Sequence, residues 1–331
     1  MDPVELAVSL IDIPSISGDE RRLAEFLEHF CLQRGWEVER QYVEEGRWNL
    51  FVNWHGNVPV AFCTHIDTVP PFTPPRVEDG FLYGRGACDT KGIIGAMIAA
   101  GERLMQNGQP PAYLFVVGEE TNSIGAKTAA VSGRTASFLI VGEPTENTPA
   151  RAHKGVLSYR LETEGIAAHS GYPERGKSAI HVLLEILHDI LTTDWGTDPI
   201  LGQATVNVGE IHGGTAANVF AVSARACVVH RIVDSVQERK RRLVDIVGDR
   251  ARIIIQAEND PQHLFVPEGY PSVVVSYGTD IPYLRGMATP LLVGPGSIHD
   301  AHTADERIEI AQIHAAVELY TDLFTRLSSL T

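Results

Sequence analysis

The sequence predicts an α/β fold: a mixed, mostly parallel sheet with helices on both faces, into which a ferredoxin-like α+β domain is inserted. Three observations lead there. Short apolar runs at 58–64, 112–117 and 138–141 alternate with helical patterns, as in a sheet covered on both faces. Residues 151–262 then change character and follow the order β-α-β-β-α-β. After 262 the chain returns to α/β alternation.

The elements follow in order. Asp2 is an N-cap, Pro3 sits at the first helical position and Glu5 lies three residues after the cap, so a helix spans 3–12. A second helix over 19–34 ends at Gly35. The strands at 58–64 and 112–117 are separated by a helix over 92–105, and the strand at 138–141 closes the first half. The middle section reads as strand 156–164, helix 176–193, strands 203–211 and 217–232 around His212-Gly213-Gly214-Thr215, helix 234–249 and strand 251–257. Helix 271–278, strand 290–293 and helix 308–328 complete the chain. The expected domains are 1–150 plus 263–331, carrying the chemistry, and an inserted lid or dimerisation domain over 151–262.

The 331 residues, 44% apolar and 21% charged, suffice for two domains. The net charge of −15 repels nucleic acid and anionic lipid. No apolar run approaches the ~18–20 residues of a membrane span. The first residues lack the basic region of a signal peptide, so a cytoplasmic protein is expected. Cys31, Cys63, Cys88 and Cys227 lie far apart, with no paired motif, and read as reduced buried thiols.

Chemistry collects where strands end. The first strand runs into His65-Ile66-Asp67, the second into Gly118-Glu119-Glu120, the third into Gly142-Glu143-Pro144, and the strand at 290–293 into a glycine-rich loop ending Asp300-Ala301-His302. Asp89 stands just before a helix in Gly84-Arg85-Gly86-Ala87-Cys88-Asp89-Thr90-Lys91-Gly92. Ligands of open α/β sheets bind beyond the carboxyl ends of the strands. Carboxylates gathered on one rim repel, and burying them is costly without a cation. Imidazole and carboxylate donors without thiolate suit Zn²⁺, Mn²⁺ or Co²⁺ better than Ca²⁺ or Mg²⁺. The donors are too many for one tetrahedral catalytic zinc, and suit two metals about 3.5–4 Å apart with a bridging carboxylate.

Those motifs together, His65-Ile66-Asp67-Thr68-Val69-Pro70, Gly84 to Gly92, Gly118-Glu119-Glu120 and Gly142-Glu143-Pro144, resemble the M20 metallopeptidases, over about residues 5 to 325. That family includes acetylornithine deacetylase, succinyl-diaminopimelate desuccinylase, carboxypeptidases and dipeptidases. The resemblance implies that His65 and Glu143 each bind a metal and that Asp89 bridges the two. Glu120 would complete one site and His302 the other, with His299 as a rival to His302. Glu119 would be the general base, and Asp67 would hold the far nitrogen of His65. A cis peptide would follow Asp89. The closing motif Ala301-His302-Thr303-Ala304-Asp305-Glu306 looks most like the acetylornithine deacetylase type, which points to arginine biosynthesis.

One stretch competes with this reading. Gly171-Tyr172-Pro173-Glu174-Arg175-Gly176-Lys177-Ser178 fits the phosphate-binding loop pattern. Pro173 has no N–H to offer a phosphate, Glu174 repels one, and no apolar strand abuts Gly171, so nucleotide binding is rejected. Gly84-Arg85-Gly86 lacks the third glycine of a dinucleotide fingerprint. In the resembling family the segment from Gly165 to Ser170 belongs to the lid, and His169 steadies the oxyanion in the partner subunit's site, which implies a homodimer or else a lid that folds over its own site. Asn218 and Arg231 resemble the residues that grip a substrate carboxylate.

The expected activity is hydrolysis of an N-acyl, first of all N-acetyl, amino acid by a two-metal centre, zinc foremost. A dipeptidase, carboxypeptidase or desuccinylase is the alternative within the fold. A catalytically dead amino-acid-binding protein is a remote one; its mark, a missing ligand or base, does not appear.

Overall fold

The computed structural model describes residues 1–331, and the chain divides into two compact units. The first comprises Met1–Arg151, Leu264–Val273 and Thr279–Thr331. The second comprises Ala152–His263 and the short excursion Val274–Gly278, which the sequence had assigned to the first domain.

In the first unit, four parallel strands stand in the order Ala112–Val116, Asn57–His65, Thr135–Val141, Thr289–Leu292. An antiparallel pair, Val38–Glu44 and Arg47–Val52, extends the sheet beside Ala112–Val116. The six innermost residues of Asn57–His65 and all of Ala112–Val116 are buried, as expected of strands covered on both faces. Helices Pro3–Ile11, Gly92–Gln106 and Ile310–Ser328 pack into one apolar core with the sheet. The first helix starts as its sequence requires: the Asp2 carboxylate accepts from Val4 N at 2.8 Å, and Pro3 opens the first turn. No helix is long and apolar enough to cross a membrane.

One expected element is absent. Residues 271–278 do not form a helix; Val273–Val275 is a short strand, and a four-residue helix follows at Ile281–Leu284. Three consecutive β-branched valines crowd the preceding turn of a helix and fit an extended chain.

The second unit is a β-α-β-β-α-β unit built from strand Gly155–Glu164, helix Ala179–Thr192, strands Thr205–Gly213 and Ser223–Ile232, helix Val236–Val247 and strand Arg252–Asn259. The strands are antiparallel in the order 205–213, 223–232, 155–164, 252–259, which is the ferredoxin-like arrangement. Alternate residues of the two central strands, Leu157, Tyr159, Leu161, Ala226 and Val228 among them, are buried with both helices. The intervening residues, Arg231 included, belong to the face the helices leave uncovered. The phosphate-loop-like stretch is exposed over residues 171–175 and at Lys177, while Ser178 is buried; Pro173–Arg175 is a single turn, and Lys177 pairs by backbone with Ile166.

Under the helices of this unit lies an imidazole with no exposure, His230. It takes a hydrogen bond with the Tyr159 hydroxyl at 2.9 Å and meets the Trp195 ring edge-on at 4.6 Å. Burial, reinforced by the charge of Arg239, holds His230 down to about 3 from its ordinary 6.5. Between those values the unfolded chain binds a proton that the folded chain refuses, so stability is present above pH 6.5 and lost as the pH falls below it. His230 therefore accounts for a loss of about 2 kcal/mol between pH 8 and pH 5. Urea unfolding at the two pH values, compared between the wild type and His230→Asn, measures it: the variant should lose about that much of the acid dependence, and an equal loss in both would contradict the assignment.

Candidate metal centre

The parallel order of the sheet brings the motif residues together. Asn57–His65 lies between Ala112–Val116 and Thr135–Val141, so the ends that carry His65, Glu119-Glu120 and Glu143 are neighbours. Backbone bonds hold their relative height: Ile66 N donates to Val116 O at 2.9 Å, and Gly142 N donates to Cys63 O at 2.8 Å. Gly142 is required before Glu143, because a β-carbon there would fall 2.5 Å from Ile93 Cγ2 and 2.6 Å from Met97 Cε. Thr289–Leu292 borders Thr135–Val141 on the other side and leads to the loop that carries His302, at φ +63°.

Asp89 stands in the middle. Its Oδ1 lies 2.8 Å from His65 Nε2, which is 4.0 Å from Glu143 Oε1. Its Oδ2 lies 3.3 Å from His302 Nε2, which is 2.9 Å from Glu120 Oε1. Each oxygen of one carboxylate thus faces its own imidazole–carboxylate pair. This differs from the division expected from sequence, in which Glu120 and His302 belonged to separate sites; here they share one, and His65 shares the other with Glu143. Ligand atoms of His65, Asp89 and Glu120 lie within 4.8 Å of one another. His299 is exposed and outside the group. The Asp89-Thr90 peptide is cis.

Asp67 is more than a support for His65. His65 Nδ1 sits 2.9 Å from the Asp67 backbone carbonyl and 3.5 Å from its carboxylate. The Asp67 carboxylate accepts instead from Glu119 N at 3.0 Å, Glu120 N at 3.2 Å and Ser17 Oγ at 2.7 Å. It therefore fixes the turn that presents both glutamates. Thr90 Oγ1 donates to His65 O at 2.7 Å and ties the Asp89 turn to the same strand end. Neither contact is legible in the sequence: Thr90 stands inside a recognised motif without a role, and Ser17 lies 50 residues from its partner, outside every motif.

The electrostatics ask for positive charge between these oxygens. Burial pushes the carboxyls of Glu119 and Glu143 well up, with the charge of Asp89 adding to both. Burial raises Glu120 as well. Burial works against the charge of Asp89 too, but hydrogen bonds with His302 and His65 outweigh it and hold Asp89 down. Asp89 and Glu120 lift His302 to about 10, and His65, despite burial, is lifted by Asp67 and Asp89. Both imidazoles turn Nε2 toward Asp89. Nitrogen and oxygen donors converging on a shared carboxylate, with no thiolate among them, fit two divalent cations of the borderline class.

This is where the resemblances to known proteins become decisive. Residues 61–326 match the family described as peptidase family M20/M25/M40. The chain belongs to that family. It is a metal-dependent hydrolase of amide or peptide bonds. It is similar to a Schizosaccharomyces pombe peptidase M20 domain-containing protein, 36% identical over 96% of this chain and 82% of that protein. A probable carboxypeptidase of Aspergillus flavus is 34% identical over 95% of this chain and 85% of its own. Among solved structures, a Staphylococcus aureus tripeptidase superposes with a TM-score of 0.85 at 20% identity, over 99% of this chain and 98% of its own, which shows a shared fold.

The residues expected to touch substrate lie in the second unit. His169 and Asn218 meet at one end of it: His169 bridges Val219, and Ser170 N donates to Asn218 O at 3.0 Å. Both are exposed, and His169 Nδ1 accepts only from Gly171 N, at 3.1 Å. Arg231 lies near the far end of Ser223–Ile232, eight residues beyond Ser223, about 26 Å at ~3.3 Å per residue. Arg231 and Asn218 of one chain therefore do not grip the same carboxylate, as the sequence reading had them do.

The role of Asp67 is open to a direct check. Asp67→Asn keeps one acceptor oxygen and replaces the other with an NH₂ that opposes one of the two glutamate amides, and should lower metal affinity or turnover about 10–100-fold with the fold intact. Metal titration and rate measurement on the folded variant decide it; wild-type values for both would contradict the role.

Proposed function

We propose that this protein is a two-metal hydrolase that releases an amino acid bearing a free α-carboxylate from an acyl group. The observation that carries the reading is Asp89, with one oxygen toward His65 and Glu143 and the other toward His302 and Glu120. When bound, the cations, Zn²⁺ foremost and Co²⁺ or Mn²⁺ as alternatives, supply Lewis acidity and bring the pKa of water toward neutrality. Glu119 takes the proton of the attacking water and returns it to the nitrogen of the leaving amine. It suits that task because burial raises its affinity for a proton. His169 donates an N–H to the developing oxyanion, with Asn218 beside it. Arg231 is left as the guanidinium for the substrate carboxylate.

Two acyl groups are the candidates. A peptidyl acyl group makes the enzyme a carboxypeptidase or dipeptidase, and is favoured by the names of the Aspergillus relative and the Staphylococcus structure. An acetyl group makes it a deacetylase, favoured by the Ala301–Glu306 closing motif, and N-acetylornithine would then place it in arginine biosynthesis. A panel of N-acetyl amino acids, N-succinyl amino acids and dipeptides, assayed after chelation and return of Zn²⁺, Co²⁺ or Mn²⁺, separates them. Metal-dependent turnover confined to amides with a free carboxylate beside the leaving amine is expected. Turnover that survives chelation, or a preference for substrates without that carboxylate, would contradict the proposal.

The enzyme acts as a homodimer through the second unit, whose exposed edge strand Thr205–Gly213 offers unpaired backbone, and His169 serves the partner's site. Mixing inactive Glu119→Gln with inactive His169→Ala chains should restore turnover, since mixed dimers then hold one complete site. A mixture as inactive as its components would show that His169 does not act across a dimer.

A further inference from the structure

Glu306, the last residue of the Ala301–Glu306 motif, is 2% exposed and lies beneath the turn that presents Asp89. Its Oε1 accepts three backbone N–H groups: Gly86 at 3.0 Å, Cys88 at 3.1 Å and Asp89 itself at 3.1 Å. Its Oε2 accepts from the Arg85 guanidinium at 2.6 Å, and its backbone carbonyl accepts from Gly84 N at 3.0 Å. Gly86, at φ +87°, lets these amides turn inward. The 84–89 turn is therefore an anion nest closed around the side chain of Glu306. Hydrogen bonds to an ionised acceptor are about twice as strong as neutral ones, so the carboxylate, and not only its shape, holds the turn.

The other end of this clasp is His302, four residues earlier in the same segment. Immediately after Glu306, Arg307–Glu309 pairs antiparallel with Phe81–Tyr83, which anchors the segment onto the stretch leading into the Asp89 turn. One side chain thus ties the backbone amide of Asp89 to the segment that carries His302. His65 and Glu143, which face Asp89 Oδ1, hang instead from strand ends set by the sheet register.

We propose that Glu306 is a positioning residue that sets Asp89 against His302 and so tunes the cation site formed by His302, Glu120 and Asp89 Oδ2 separately from the site of His65 and Glu143. This rests on the two-cation reading.

The test is Zn²⁺ titration of the full chain after chelation, followed by calorimetry, with thermal unfolding of the stripped protein measured alongside. Glu306→Gln should weaken one of two binding events by about tenfold or more and leave the other unchanged. In a His302→Ala background the same substitution should change neither remaining affinity nor stoichiometry. Arg85→Met/Glu306→Gln, which removes both buried charges, should recover thermal stability without recovering the weakened event; that outcome separates positioning from a general loss of folding. Two events that weaken together, none that weakens, or affinity that returns with stability in the double variant would overturn the proposal. A wild-type chain that takes up a single equivalent would overturn the two-cation reading and this proposal with it.

Discussion

Three glutamate side chains and two imidazoles crowd around the carboxylate of Asp89, and like charges brought together in this way do not stay so unaided. Burial, with the charge of Asp89 adding to it, drives Glu119, Glu120 and Glu143 toward the protonated form, while hydrogen bonds from His65 and His302 hold Asp89 down. The need for positive charge on both sides of one carboxylate is the constraint from which the rest follows. It accounts for the two imidazole–carboxylate pairs and for the number of backbone amides turned toward Asp67 and Glu306. It also accounts for the placement of everything at the ends of strands, where side chains emerge from a rigid base.

The sheet is what makes such an arrangement tolerable. Ligands drawn from three adjacent parallel strands inherit their spacing from the hydrogen-bond ladder, so little conformational freedom is lost when cations bind. The two ligands that do not sit on those strand ends, Asp89 and His302, are held by other means. Asp89 lies in a turn wrapped on a buried carboxylate, and His302 lies in a loop with a left-handed backbone. Asp67 holds the glutamate turn through its amides and so makes no demand on the Glu119 side chain.

The parts legible in the sequence were those written in local pattern. Apolar runs ending in His-x-Asp, Glu-Glu and Glu-Pro marked the strand ends, the Asp2-Pro3 start marked the first helix, and the β-α-β-β-α-β order of the second unit could be read element by element. The hairpin of Val38–Glu44 and Arg47–Val52 was not seen, because the outer strand at the sheet edge carries Glu39, Arg40, Gln41 and Glu44 and its apolar signal is diluted. The valines at 273–275 were read as helix because a short apolar run has no clear period. At the site, residue types were legible and pairings were not. That Glu120 shares His302, that Asp67 faces two glutamate amides, and that Glu306 reaches back some 220 residues to the Asp89 turn are facts of tertiary contact, invisible to spacing along the chain.

The second unit shows the same division. Its order was readable, yet the distance between Asn218 and Arg231 emerges only once both are placed on opposite ends of one strand and its approach. The residues proposed for substrate recognition accordingly fall in two places, His169 with Asn218 at one end of the unit and Arg231 toward the other. All of it presupposes two cations on Asp89. A crystal structure of the protein grown with Zn²⁺, with data collected at the zinc absorption edge, tests this most directly. Two anomalous peaks per chain about 3.5–4 Å apart, one at Asp89 Oδ1 with His65 and Glu143 and one at Oδ2 with His302 and Glu120, are the result the account predicts. A single peak, or two that do not share Asp89, would contradict it.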